Sequence, residues 1–354
     1  MCVFFGCSEK NEQNSDMSTS QDSLSNYFTL ANDLSLSRDK RLEYTQKAFE
    51  IVADNDNDSL NRINLFKVAN RYYNINKLKE YSKVVNIVLK KSELANDSLS
   101  KAKAYTYLGD FYVSQSVSDS AFMYYDKAEK AYEDLKDKVN RSKTIINKAD
   151  LQFRIGDFSE TEKAAFSVLR IIKGEKGFNS IYYDAYNLLG ITYCEQGEFE
   201  NGIIYHNKAL AVIDDDIIYP EFQSRATSYN NMGFLYLNDK KYDLAKSYFQ
   251  KGLDQKDLST QKPYVYALLL DNLAYAKFKL NETNGLPDMF FQSLRFKDSL
   301  KLTNGVFVNK IHLSEYFASK KDTVRALKYS NEALFLANST DISRDVLVAL
   351  KQLS

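Results

Sequence analysis

The feature that most constrains this chain is a column of small residues that returns every 40–43 positions: Ala69, Gly109, Ala149, Gly190, Gly233, Ala274, Ser314 and Ser354. A bulky apolar residue precedes most members, as at Val68, Leu108, Leu189, Met232, Leu273, Leu313 and Leu353, with Lys148 the exception. Three residues after the small one comes an aromatic at Tyr72, Tyr112, Tyr193, Tyr236 and Phe317, whereas Gln152 and Lys277 depart from the pattern. A second small column follows (Ala121, Thr161, Gly202, Ala245, Ala326), and a third seven residues later (Ala48, Val88, Ala128, Val168, Ala209, Gly252, Ser293, Ala333). A large residue follows most members of the third column, Glu129 being the outlier. Glycine inside a helix costs about 1 kcal/mol relative to alanine, so Gly233 and Gly252 require a reason. Close crossings between paired helices supply one, because backbones approach only where side chains are small.

The composition agrees. The chain is 44% apolar with only three prolines and twelve glycines, too few turn formers for an all-β protein. The reading is all-α, with each unit a helix, a short turn ("RIGDF", "EQGEF", "LNDKKY") and a second helix. Polar, cap-rich connections such as "DNDNDS" and "ANDSLS" separate the units. Lys+Arg and Asp+Glu are equal at 47, which removes the broad basic field of a nucleic-acid binder.

These columns resemble the tetratricopeptide repeat family over roughly residues 22–354. The resemblance rests on the large-small pairs Leu189-Gly190 and Met232-Gly233, the aromatics Tyr193 and Tyr236, and the alanine columns. It implies a right-handed α-solenoid of stacked helix-turn-helix tetratricopeptide repeats, about eight units with the last truncated. The family's usual unit is about 34 residues; the longer units here are like those of kinesin light chains and of Bacteroidetes signalling proteins. The closing "DVLVALKQLS" repeats the start of a first helix, so the natural protein is expected to continue beyond Ser354.

Residues 1–21 read as a polar leader. "MCVFFGCSEK" sets a short apolar run and Gly6 before Cys7, similar to the end of a bacterial lipoprotein signal. Cys7 is therefore a lipidation candidate that would tether the chain to a membrane, and the expected location is the bacterial cell envelope, on the lipoprotein or periplasmic side, or otherwise the cytoplasm.

Chemistry-bearing motifs are sparse. His206 falls in a column held by Tyr125 and Phe249 in other copies and reads as core, and His312 is read as having no acid partner along its helix. "GEKG" at 174–177 is not a phosphate loop, and "DDD" at 214–216 reads as a solvated connection. The three cysteines, Cys2, Cys7 and Cys194, form neither a disulfide framework nor a zinc site. No metal, no cofactor and no enzymatic activity is expected.

What remains is a concave surface lined by first helices. One candidate column contains Tyr73, Phe153 and Phe278, with Val113, Cys194 and Leu237; a second contains Asp110, Asp150 and Phe234. A third contains Asn187, Asn230 and Asp271, with Asn147, Asn231 and Asn272 beside it. "NNMG" at 230–233 resembles the asparagine-bearing first helices of kinesin light chains, which implies amides that hold an extended peptide backbone. A carboxylate clamp built on Lys103 and Lys143 fits poorly beside Asp110 and Asp150. The expected function is a protein- or peptide-binding scaffold whose partner segment is apolar or basic rather than acidic. The alternative is the sensory region of a longer signalling protein with a histidine kinase or DNA-binding output.

Overall fold

The computed structural model describes residues 23–53, 55–213, 224–300 and 303–339, all helices and turns without a strand among them. Cys7 and the leader, Asp214–Asp216, and the closing segment with Leu353 and Ser354 lie outside the described residues. The chain forms two compact units, one ending at Ile155 and one starting at Gly156.

The first unit holds α1 (23–32), α2 (Arg38–Ala53), α3 (Ser59–Asn74), α4 (Leu78–Leu94), α5 (Ser98–Ser114), α6 (Ser118–Asp134) and α7 (Lys138–Arg154). The second holds α8 (Phe158–Ile171), α9 (Asn179–Glu195), α10 (Phe199–Ala211), α11 (Arg225–Asn238), α12 (Tyr242–Leu253), the single turn α13 (Leu258–Gln261), α14 (Pro263–Lys279), α15 (Leu286–Ser299), α16 (Thr303–Ser319) and α17 (Thr323–Ser339). Consecutive helices pack as pairs: α3 with α4 and α5 with α6 in one unit, and α9/α10, α11/α12, α14/α15 and α16/α17 in the other.

The helix ends follow from local chemistry. Asp58, Asp97 and Asp137 in the polar connections accept the backbone N–H of Asn61, Ser100 and Asn140 and so start α3, α5 and α7. First helices stop at a residue in the left-handed region: Asn76, Ser116, Gly156, Gly197, Lys240, Asn281 and Lys321. There the next N–H turns back to a carbonyl in the last turn, as Lys77 does to Tyr72, Val117 to Tyr112 and Lys241 to Tyr236. These bonds satisfy carbonyls that the ended helix leaves open. Pro263 and Pro287 occupy the first turns of α14 and α15, where no intrahelical donor is lost.

The small-residue column marks the crossings. A Cβ on Gly190 would sit 2.6 Å from the His206 ring, and one on Gly233 would sit 2.5 Å from the Phe249 ring. Gly109 stands against Tyr125 in the same way. Where the first helix carries Ala69, the facing column carries the smaller Val85, both fully buried. The aromatic column stacks on the partner helix: Tyr112 on Tyr124, Tyr193 on Tyr205, Tyr236 on Tyr248 and Phe317 on Tyr329, with centroids 5.3–5.7 Å apart. Two residues that break the columns compensate each other, since Lys148 Nζ lies 2.6 Å from the Glu129 carboxylate and 3.0 Å from that of Asp126.

Candidate functional site

In the second unit the first helices α9, α11, α14 and α16 are joined by a polar seam with a fixed register. The Asn231 amide donates to the Asn187 oxygen at 2.7 Å, and the Asn272 amide donates to the Asn230 oxygen at 2.9 Å. The long 3.5 Å approach of the Asn230 amide to the Asn231 oxygen links the two pairs head to tail. One repeat further on, His312 Nδ1 lies 3.2 Å from Asp271 Oδ1 in the equivalent positions. Asn187, Asn230 and Asn231 are half-buried, Asn272 is buried, and Phe234 beside them is 40% exposed. The ladder leaves the Asn187 amide nitrogen and the Asn272 amide oxygen as a donor and an acceptor at its ends.

Asp271, expected on the groove, is a correction. Its side chain is 1% exposed and its Oδ2 accepts from the fully buried Lys297 Nζ at 2.6 Å, while Asn309 Nδ2 donates to Oδ1 at 2.8 Å. Burial alone would raise its pKa, but the Lys297 ammonium and the His312 ring overcome this and hold it down at about 2. A carboxylate so enclosed is unavailable to a partner. His312 is a second correction: Asp271 faces it from α14, Glu315 follows three residues later on its own helix, and its ring stacks on Tyr275 at 3.9 Å. Glu315 accepts from both Tyr275 Oη and Lys279 Nζ at 2.8 Å. The missed partner was Lys297, which stands in a column where Val52, Tyr132 and Ile172 are buried; because Lys256 in the same column is exposed, the charge alone did not mark it as core. His206 is core, as expected: it is buried against Gly190, and burial lowers its pKa to about 4.

In the first unit, Asp110 accepts from Tyr125 Oη at 2.7 Å and from Asn147 Nδ2 at 3.4 Å. Its carboxyl is half-buried, and that burial pushes its pKa up to about 6. Asp150 is accessible, yet the protein around its carboxyl also raises its pKa, with Arg154 opposing. Tyr73 is 45% exposed and packs on Tyr81, centroids 5.2 Å apart. Phe153 and Phe278 are half-buried, whereas Cys194 and Leu237 of the same column are buried and serve packing. Lys103 Nζ lies over the Phe66 ring at 4.5 Å, so this lysine is already engaged. Among the described residues, no group of three or more His, Cys, Asp and Glu converges as metal ligands would.

Residues 182–256, which contain α10, α11, α12 and most of α9, match the tetratricopeptide repeat family model. This stretch is a tetratricopeptide repeat region. The solved structures that resemble the chain share its helical-repeat fold. One is the apo form of RapI, with 16% identity over 82% of this chain and 98% of that one and a TM-score of 0.61. Another is the STAND protein PH0952 from Pyrococcus horikoshii, described as having a tetratricopeptide repeat sensor, with 17% identity over 88% of this chain and 46% of that one, TM-score 0.63. A third is NprR in complex with its cognate peptide NprX, with 14% identity over 96% of this chain and 100% of that one, TM-score 0.56. No curated protein sequence matches the chain.

Proposed function

We propose that the chain is a peptide-binding scaffold whose tetratricopeptide region and the adjoining α14 grip an extended segment through the asparagine ladder. The observation that carries this reading is the hydrogen-bonded series of the half-buried Asn187, Asn231 and Asn230 and the buried Asn272, which runs across three first helices beside the exposed Phe234 ring. Amides bracket a peptide group whatever its side chain, because each presents both a donor and an acceptor. Phe234 adds an apolar surface on which one side chain of the segment packs. The solved NprR complex, in which a protein of like fold holds a peptide, supports this class of partner.

The test is panning of a random peptide library on the full chain, followed by affinity measurement of the selected sequences. The double variant Asn187→Ala/Asn230→Ala should bind them at least about tenfold more weakly with unchanged helicity, the loss of roughly one or two well-formed hydrogen bonds. Equal affinity in the variant, or a library that yields no binder, would overturn the reading.

A further inference from the structure

We propose that the first-helix face of the unit ending at Ile155 takes up a basic side chain of the partner peptide, its cation lying between the Asp110 carboxylate and the Tyr73 ring. The occupant rests on the peptide-scaffold reading above; the cation site rests on residues of this unit alone.

Asp110 is a carboxylate without a cation. Its two hydrogen-bond donors, Tyr125 Oη and Asn147 Nδ2, are both neutral, and among the described residues no lysine, arginine or histidine forms an ion pair with it. Two other enclosed carboxylates among the described residues are neutralised: Asp97 by Arg62 at 2.8 Å and Asp271 by Lys297 at 2.6 Å. Asp110 instead carries the penalty of burial, which the raised pKa of about 6 records. An incoming ammonium or guanidinium would remove that penalty with a charge-assisted hydrogen bond. An apolar group would deepen it, and an acidic one would be repelled.

The ring wall points to the same chemistry. Within this unit, cations cover aromatic faces repeatedly: Arg71 over Phe28 at 4.3 Å, Lys103 over Phe66 at 4.5 Å and Lys127 over Tyr124 at 5.2 Å. Tyr73 is large, 45% exposed and held in place by Tyr81, yet no cation of the described residues covers it. The negative face of such a ring attracts a cation within about 6 Å. Tyr81, on which Tyr73 packs, donates from its Oη to the Tyr107 carbonyl at 2.8 Å and has its ring 6.4 Å from that of Phe111, the residue after Asp110; burial and then the Asp110 charge raise the Tyr73 phenol pKa. Arg154 is the competing cation, and its charge acts on Tyr73 and on Asp150. Arg154 forms no ion pair with Asp110 among the described residues, so the Asp110 charge on this face is left unmatched.

The experiment follows the Tyr73 ring by NMR in the full chain with ring-labelled tyrosine, assigned with Tyr73→Phe. The probes are acetyl-Ala-Arg-Ala-amide, its citrulline counterpart of nearly the same shape without the charge, and butylguanidine as a bare cation. The arginine peptide should saturate the Tyr73 signal, about tenfold more tightly than the citrulline peptide and about tenfold more tightly than with Asp110→Asn, as loss of a charge-assisted bond implies. Binding should strengthen between pH 5 and 7 as Asp110 ionises. Tyr73, Tyr81 and Tyr125 stay neutral in that range because burial raises all three; Asp150, itself raised, and the cationic Arg154 are the other charges present.

Equal response to the citrulline peptide, an unchanged response in Asp110→Asn, or no saturable response would overturn the proposal. Butylguanidine saturating the ring as tightly as the tripeptide would overturn the peptide as occupant. The Tyr73 readout does not pass through the asparagine ladder, so its failure is distinguishable from failure of the library selection.

Discussion

His206 shows how far a single crossing decides the chemistry of a side chain. The bare backbone of Gly190 lets the imidazole fill the space that Tyr125 and Phe249 fill in other repeats, and Nδ1 is left buried without a hydrogen bond. A neutral ring in that place titrates near 4, below its ordinary 6.5. The unfolded chain therefore binds the proton more tightly, and stability falls as pH drops below about 6.5 and continues to fall until about 4. Fully developed, the loss is roughly 3 kcal/mol. His206→Phe, which copies the Gly233 and Phe249 pair, should be as stable as the parent at pH 7 within about 1 kcal/mol. It should also unfold with less acid sensitivity between pH 6.5 and 4, measured by urea denaturation at several pH values. The core role of His206 was legible because Tyr125 and Phe249 fill its column in the other repeats whose first helix carries glycine. The burial of Asp271 was not, because its partner Lys297 is 26 positions away and no local pattern joins them.

At the scale of the helix pair, the recurrent device is the left-handed residue that ends each first helix. Only some of these were visible beforehand. Gly156 and Gly197 announce a positive φ, and Asn76 and Asn281 suggest one, but Ser116, Lys240 and Lys321 hold φ values of 57–59° with residue types that carry no such signal. Their conformation is imposed by the returning hydrogen bonds and by the packing of the next helix, not by their own preference. Ser116→Gly should relieve that strain and raise stability by about 0.5–1 kcal/mol, net of the greater freedom of the unfolded chain. Denaturant unfolding of the variant checks this, and a lower midpoint would show that the serine is held by more than the turn.

Across the whole molecule, departures from the repeat columns gather outside residues 182–256. Glu129, Lys148 and Gln152 lie before that stretch, and Asp271, Lys277 and Lys297 lie after it. The family model matches a stretch in which the large-small pairs and aromatics are intact, and the helical pairs continue through the described residues on either side, where Leu108-Gly109 with Tyr112 keeps the same pattern. The sharpest departure is the buried Asp271 and Lys297 pair. Lys297→Met should cost about 3–5 kcal/mol, because it strands a carboxylate in the core. Replacing both, as Asp271→Leu/Lys297→Met, should recover most of the loss. In the parent, the depressed Asp271 pKa contributes stability that is present above about pH 4 and lost as the pH falls toward 2. Thermal melts of the single and double variants at pH 7 decide the matter, and equal melting of parent and single variant would mean the pair carries no net load.

The asparagine series has one more consequence, which concerns direction. Every amide in it points its nitrogen the same way, from Asn272 through Asn230 and Asn231 to Asn187. Turning each amide half a revolution reverses the whole sequence of donors and acceptors while keeping every bond. Because one reversed member would set two like groups face to face, the four turn together. On the proposed peptide-binding reading, a peptide offering a carbonyl at the Asn187 end would fix what is offered at the Asn272 end, and a chain laid in the opposite sense would be met by the opposite setting. The groove would then recognise an extended backbone in either orientation, and the choice between them passes to whatever lies alongside, beginning with Phe234.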